Sequence, residues 1–191
     1  MFRGYAPQEL AALARLAIPD EMARPGLRPD AIVPSEKRGF VIAKEMRELI
    51  ANLRAAGIDV YIVSGSDTSI LRVATGKEFG LCFPEDHVFG RDSGVIAGRK
   101  PDFIRDRIAP RHHGAEPALV VGDSMGDYAM FTEFKDLQAG LLFHRNWRER
   151  EMWELAESAA GKGRILVQGR DEFRGVYIPF ARSVFAKARK R

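Results

Sequence analysis

The sequence predicts an α/β protein with three αβα layers, in which a doubly wound parallel sheet has helices on both faces. Short apolar runs rich in β-branched residues, typical of buried parallel strands, alternate with segments of helical periodicity. Several of these runs end in Gly, Ser or Asp, residues that turn the chain and cap the next helix. A composition of 46% hydrophobic and 29% charged residues over 191 positions supports a core of ordinary size.

The first third predicts a helix, an irregular segment and a second helix. Apolar residues recur at helical spacing between Pro7 and Ala17. Four prolines are expected to break any longer element: Pro19, Pro25, Pro29 and Pro34. An extended piece is expected from Phe40 to Ala43. A helix then runs from about Met46 to Leu53 and ends at Gly57, where a left-handed residue is favoured.

The middle of the chain predicts two strands that end in polar turns. The run Ile58–Val63 is the strongest strand because it is rich in β-branched residues. It leads into a Ser-Gly-Ser-Asp turn that caps a helix reaching about Phe79. His87–Gly90 is a second, short strand. Pro101 suits the first turn of a following helix.

The second half predicts further strands alternating with helices. Ala118–Val121 is a buried strand, and it precedes a helix from about Asp127 to Phe131. Gly140–Phe143 predicts the next strand. Asn146 is expected to cap a helix that runs to Ala160. Arg164–Gln168 predicts a last strand or hairpin arm.

The charge, the apolar runs and the cysteine count of the chain exclude several classes of function. The net charge of +4 is concentrated at the C-terminal end, and basic residues do not alternate with aromatic ones along a face, so no nucleic-acid partner is expected. No apolar run is long enough to span a membrane, and no signal peptide is evident, so we expect a cytoplasmic protein. The single cysteine, Cys82, cannot form an internal disulfide and is expected to be a buried structural thiol.

Polar side chains follow the predicted strands in an order that suits phosphate chemistry. Ser64 follows the first strong strand, Lys100 opens a helix, and Asp123 and Asp127 follow the buried strand Ala118–Val121. The two carboxylates are hard oxygen ligands of the kind that Mg²⁺ prefers. The serine hydroxyl, helped by free amides at the start of the next helix, is expected to donate to a phosphate oxygen. Lys100 is expected to neutralise phosphoryl charge.

Each of these residues also has a structural interpretation. Ser64 alone suits a turn, and Lys100 alone suits a solvated surface position. Asp123 and Asp127 suit a helix cap and a first-turn acid that interacts favourably with the helix dipole. The order of all of them after suitable elements is what favours a shared site.

With these motifs the chain resembles the haloacid dehalogenase (HAD) superfamily of phosphohydrolases, and within it the phosphoserine-phosphatase and phosphorylcholine-phosphatase-like branch. The resemblance rests on Met46–Ser66, Gly98–Pro101 and Val120–Asp127. It implies a Rossmann-like, HAD-like αβα core over residues 38–191. Residues 1–37, including Phe2–Leu10, resemble part of the helical cap of that branch.

The resemblance implies hydrolysis of a small-molecule phosphomonoester through a covalent aspartyl phosphate, with Mg²⁺ as cofactor. Ser64 and Gly65 would bind the phosphoryl group, and Lys100 would steady both the phosphate and the nucleophile. Asp123 would bind Mg²⁺, and Asp127 would bind it or orient its water. A carboxylate nucleophile divides the hydrolysis into two displacements.

The nucleophile motif that the resemblance requires is missing. The family carries Asp-x-Asp-x-Thr on a central strand, and no Asp of this chain is followed by another Asp two positions later. Three explanations stay open: a missing upstream segment, a degenerate protein whose two flanking strands pair directly, or a partner chain that supplies the strand. The first explanation predicts that the upstream DNA encodes an in-frame Asp-x-Asp-x-Thr motif.

Two other functions are weighed against the phosphatase. One is a catalytically inactive HAD-like domain that binds an ion or another protein. The other is a serine esterase built on Gly122-Asp123-Ser124, which would need a histidine to activate the serine. None of the four histidines is preceded by an Asp three residues earlier, which disfavours the esterase.

Overall fold

The computed structural model describes residues 4–23, 44–143, 150–158, 163–171 and 176–178. The chain divides into two compact units, Met1–Val95 and Ile96–Arg191. The predicted boundary between residues 37 and 38, the extended piece Phe40–Ala43 and the cap residue Asn146 lie outside the described residues.

Helices and strands alternate along most of the described chain. The helices are α1 (Pro7–Ala23), α2 (Lys44–Ala55), α3 (Thr68–Ala74), α4 (Lys100–Phe103), α5 (Tyr128–Glu133) and α6 (Arg150–Glu157). The strands are β1 (Ile62–Val63), β2 (Val88–Phe89), β3 (Leu119–Gly122), β4 (Ala139–Phe143), β5 (Ile165–Asp171) and β6 (Val176–Ile178). Where the structure describes the chain, these strands form one sheet of β1 and β2 and a second sheet in the order β3-β4-β5-β6.

Helix α1 continues through Pro19 to Ala23, so the expectation that Pro19 ends it is wrong. A proline inside a helix lacks one N–H donor, which local propensity alone would not tolerate. Tertiary packing outweighs that cost, because Ala14 and Ile18 of α1 are buried in a cluster with residues of α3. Leu10 is also buried, at 4% exposed.

The first unit contains a parallel pair of strands that is shorter than predicted. Of the expected strand Ile58–Val63, only Ile62 and Val63 pair, with Val88 and Phe89 respectively. Val60 and Ile62 nevertheless pack against a buried cluster of Ile50, Phe83 and Val88. Apolar burial therefore extends further along this segment than strand pairing does.

Two further expectations for the first unit need correction. Helix α3 ends at Ala74 rather than near Phe79, and a separate 3₁₀ turn covers Lys77–Phe79. Gly76 separates the two, and the backbone approaches too closely there for a side chain to fit easily. Cys82 is exposed rather than buried, because it occupies a turn with φ of 51° while its neighbour Phe83 points into the core.

The second unit contains parallel strands that match the predictions well. β3 pairs in parallel with β4, and β4 with β5, as expected for an α/β fold. Helix α5 packs against β3, and α6 packs against β5. The Phe131 side chain of α5 is fully buried, and its ring lies where a Cβ at Gly140 would otherwise stand.

An antiparallel strand extends this sheet. β5 and β6 pair over Gly169–Asp171 and Val176–Ile178, so the predicted hairpin arm is confirmed. The run Val176-Tyr177-Ile178 was not predicted, although its β-branched and aromatic residues are typical of a strand. In the part of the chain that is described, no helix has the length and apolar character needed to cross a bilayer.

Candidate functional site

The acidic turn of the second unit, Gly122–Asp127, follows β3 directly. Asp127 is 5% exposed, and its carboxylate organises the turn. Oδ2 accepts hydrogen bonds from the backbone N–H of Asp123 at 2.9 Å and of Ser124 at 3.2 Å, and from the Ser124 hydroxyl at 3.2 Å. Ser124 and Asp127 also form a capping box for the 3₁₀ turn Met125–Asp127.

Gly122 is required by this arrangement. A Cβ at residue 122 would lie 2.5 Å from Cβ and 2.8 Å from Cγ of Asp127. The strand therefore ends in glycine because the Asp127 side chain folds back over it. The space next to this glycine is therefore occupied by Asp127.

Lys100 meets the acidic turn through a buried ion pair. Its Nζ donates to Asp127 Oδ1 at 2.6 Å, and the two side chains are 11% and 7% exposed. Pro101 in the first turn of α4 fits the helix start as predicted. A surface lysine is thus excluded for residue 100, and two of the predicted site residues lie in direct contact.

Arg105 ties the segment after Lys100 to the elements on either side of β3. Its Nε donates to Glu116 Oε1 at 2.9 Å, and Nη2 donates to the Glu133 carbonyl at 2.9 Å. The hydrogen bond from Arg105 lowers the pKa of Glu116 below its ordinary value, against the opposing effect of burial. A turn at Gly98, whose N–H donates to the Gly126 carbonyl at 3.1 Å, fixes the start of α4 in the same way.

The acidic turn does not complete a metal site by itself. Asp127 already receives four hydrogen bonds, one of them from an ammonium group that disfavours a cation nearby. Among the described residues no cluster of three or more His, Cys, Asp or Glu side chains could hold a metal ion. The acidic turn offers ligands of the type that suits Mg²⁺, and a complete site would need further oxygen ligands.

The serine turn of the first unit, Ser64–Thr68, follows β1. The Ser64 hydroxyl accepts a hydrogen bond from Ser66 N–H at 3.2 Å, which leaves its own proton available for another acceptor. Asp67 caps α3, with its side chain accepting from Ser69 N–H at 2.9 Å. This cap was predicted.

The first two amides of α3 are occupied, which corrects the expectation that they are free for phosphate. Thr68 N–H donates to Asp92 Oδ1 at 2.7 Å, and Ser69 N–H is taken by Asp67. The Thr68 hydroxyl donates to the same Asp92 oxygen at 2.6 Å. Two carboxylates of the chain therefore take the place that an anionic ligand was expected to fill.

The Asp92 carboxylate is stabilised in its charged form. Burial works against ionisation, but the hydrogen bonds from the Thr68 hydroxyl and N–H outweigh it and hold the pKa of Asp92 below its ordinary 3.8. Asp92 and Thr68 were not singled out from the sequence. The available signal was the polar run Arg91-Asp92-Ser93 directly after the predicted strand His87–Gly90.

The structure thus brings together Lys100, Asp127 and the backbone of Asp123 in the second unit. Ser64 and Gly65 belong to the first unit, so their convergence with the other three stays a prediction. The Ser124 hydroxyl has the Asp127 carboxylate as a partner rather than an imidazole, which is the environment of a capping serine.

A model of the haloacid dehalogenase-like hydrolases matches residues 11–134, which is more than half of the chain. The chain belongs to this family. The matched region contains both the serine turn and the acidic turn.

The haloacid dehalogenase-like fold is supported by a solved structure. A conserved protein of unknown function from Anaerococcus prevotii DSM 20548 superposes with a TM-score of 0.73 at 25% sequence identity. The match covers 92% of this chain and 53% of that one, so the chain spans about half the length of this neighbour. The comparison with curated proteins finds no match. The predicted Rossmann-like α/β class is therefore confirmed.

Proposed function

We propose that this haloacid dehalogenase-like chain carries the phosphate-binding and cation-bearing part of a phosphomonoester hydrolase that acts on a small molecule. The supporting observation is the buried contact of Lys100 with Asp127 at the end of β3. A buried ammonium group held by a fixed carboxylate supplies a preorganised positive charge, which stabilises charge developing on a phosphoryl group.

In this proposal the Lys100 side chain is oriented because Asp127 accepts from it, while Asp127 is itself held by the turn backbone. The Ser64 hydroxyl and the Gly65 segment bind phosphoryl oxygens. Asp123, half-buried next to this pair, is the proposed ligand of Mg²⁺. Bound Mg²⁺ would neutralise phosphate charge. Its remaining ligands would come from outside the described residues.

The attacking carboxylate is proposed to come from outside this sequence, in a missing segment or a partner chain, since the chain contains no Asp-x-Asp. The sequence resemblance suggests the phosphoserine-phosphatase and phosphorylcholine-phosphatase-like branch of the family.

The test begins with the DNA upstream of the start codon, read for an in-frame Asp-x-Asp-x-Thr after an apolar strand. The protein expressed with that segment is expected to release p-nitrophenol from p-nitrophenyl phosphate, with activity lost in EDTA and restored by Mg²⁺. Asp123→Asn is expected to reduce kcat/KM by about 100-fold or more. Asp106→Asn, an exposed carboxylate of the same unit, is the matched control and should retain activity.

Phosphate binding by the 191-residue chain separates the competing functions. Retained binding of inorganic phosphate with no turnover, even with the upstream segment, would support the inactive binding domain. Release of p-nitrophenol from p-nitrophenyl acetate, abolished by Ser124→Ala, would support the esterase instead. Absence of both phosphate binding and turnover in a folded protein contradicts the proposed function.

A further inference from the structure

The serine turn is held from one side by the segment that follows β2. Ser64 N–H donates to the Phe89 carbonyl at 3.0 Å, and Arg91 N–H donates to the Ser66 carbonyl at 2.8 Å. A Cβ at Gly90 would lie 2.4 Å from the Ser66 carbonyl oxygen and 2.5 Å from Thr68 N. Close backbone contact therefore fixes the middle of the turn, and only a residue without a side chain fits at position 90.

Thr68 is the point at which side chains join this contact. It is 5% exposed and is the first residue of helix α3. Its hydroxyl donates to Asp92 Oδ1, accepts from Gly90 N–H at 3.0 Å, and lies 3.0 Å from the Ser93 hydroxyl. Its backbone N–H also donates to Asp92. One carboxylate oxygen thus receives both donors of a buried threonine.

The position of Asp92 is unfavourable for a protein that binds an anion next to it. The carboxylate places negative charge at the start of α3, three to four residues after the serine and glycine proposed to bind phosphate. Like charges repel, so this charge lowers phosphate affinity. Asp92 would repel the ligand, yet it accepts two short hydrogen bonds from the turn. Its role is therefore explained by its effect on the geometry of the turn.

We propose that Asp92 is a positioning residue, which holds Thr68 and through it the Ser64–Gly65 backbone in the arrangement that receives a phosphoryl group. The inference rests on the proposed function, because it takes Ser64 as the phosphate ligand. It assigns the contribution of Asp92 to its acceptor oxygen and not to its charge. The acceptor preorganises the turn, so less ordering free energy is spent when the ligand binds.

Two variants separate the effect of the Asp92 acceptor oxygen from the effect of its charge. Asp92→Asn keeps an oxygen that accepts from both Thr68 donors, and it removes the charge. Asp92→Ala removes both. Asp59→Ala, at an exposed carboxylate of the same unit, is the matched control. A change of charge alone would alter phosphate affinity in the same direction in Asp92→Asn and Asp92→Ala, whereas the positioning role predicts weaker binding in Asp92→Ala only.

The experiment measures the Kd of inorganic phosphate by calorimetry, in the presence of Mg²⁺, with the 191-residue chain. Asp92→Asn is expected to bind phosphate as tightly as the unmodified chain or a few-fold more tightly, and Asp92→Ala about tenfold more weakly. Amide hydrogen exchange, followed by NMR in the same samples, is expected to accelerate at residues 64–68 in Asp92→Ala and to stay slow in Asp92→Asn.

Two results would overturn the inference, and they are distinguishable from failure of the proposed function. Tighter phosphate binding by Asp92→Ala would show that the charge matters and the acceptor does not, and equal binding would show that neither does. Unchanged amide exchange in Asp92→Ala would show that Asp92 does not hold the turn. Absence of phosphate binding in the unmodified chain, with exchange responding as expected, would instead remove the proposed function and leave Asp92 a structural clamp without a ligand to position.

Discussion

The serine turn of the first unit and the acidic turn of the second have a similar backbone arrangement, but the aspartates that hold them lie in different environments. In both, a parallel strand ends, the chain turns, and an aspartate organises the first N–H groups of the turn or helix. In the serine turn that aspartate, Asp92, is an exposed residue from another segment. In the acidic turn it is Asp127, buried within the turn and paired with Lys100.

This difference shows which forces hold each turn. Asp92 keeps contact with solvent, so its hydrogen bonds to Thr68 replace hydrogen bonds to water and contribute modestly. Asp127 and Lys100 have both lost most of their hydration, so each depends on the other. The acidic turn is therefore expected to be far more sensitive to the loss of one side chain.

The largest effect is expected from Asp127→Ala. This variant leaves the Lys100 ammonium buried without its partner, at a cost of about 3–5 kcal/mol in the free energy of unfolding. The double variant Lys100→Met/Asp127→Ala removes the unpaired charge and should recover part of that loss. Urea denaturation of both proteins measures the difference. A loss below about 1 kcal/mol in Asp127→Ala would mean that the two charges are not buried in solution.

Glycine substitutions compare the two turns at their closest contacts. Gly90→Ala brings a Cβ against backbone atoms of the serine turn, and Gly122→Ala brings one against the Asp127 side chain. Each is expected to lower stability by about 1–3 kcal/mol, with Gly90→Ala the more costly because backbone yields less than a side chain. Gly65→Ala meets open space and is the control, with an expected change within about 0.5 kcal/mol. Thermal unfolding of the variants gives the ranking, and equal stability of Gly65→Ala and Gly90→Ala would contradict it.

Thr68→Val tests the hydroxyl at the centre of the serine turn. Valine has the same shape but leaves the Gly90 N–H without its acceptor and Asp92 with one donor fewer, at a cost of about 1–3 kcal/mol. Thr68→Ser keeps the hydroxyl and should lose less. Urea denaturation of the two variants distinguishes these effects. A valine variant as stable as the serine variant would show that the methyl group, and not the hydroxyl, holds this position.

Local sequence features predicted most elements and two contacts of the site. Strand runs such as Leu119–Gly122 are apolar and bounded by glycine, and a cap such as Asp67 lies within a few residues of the amide that it binds. Such patterns are local, so they can be read along the chain. Likewise, the positions of Lys100 and Asp127 after suitable elements suggested a shared site, and the structure shows the two side chains in contact.

The features that the sequence analysis missed or predicted wrongly are not determined by local sequence patterns. Helix α1 survives Pro19 because Ile18 packs against residues of α3, more than fifty positions later. Asp92 binds Thr68 across 24 positions, and no local motif marks that pairing. The exposure of Cys82 follows from a left-handed turn, which its apolar neighbours did not indicate. Tertiary contacts override propensity in all of these places.

The smallest expected effect is the acid response of the serine turn. The folded pKa of Asp92 lies below the unfolded value of about 3.8, so its contribution to stability is complete above that value and is lost as the pH falls through the folded pKa. The free energy of unfolding of the unmodified chain and of Asp92→Asn should therefore differ by a constant amount between about pH 5 and 7, and should change relative to each other only below about pH 4. Guanidinium titrations at a series of pH values measure both curves, and the difference cancels the contributions of other carboxyls, including Glu116. A difference that instead changes near pH 6 would assign the titration to a histidine and would separate Asp92 from the stability of the turn.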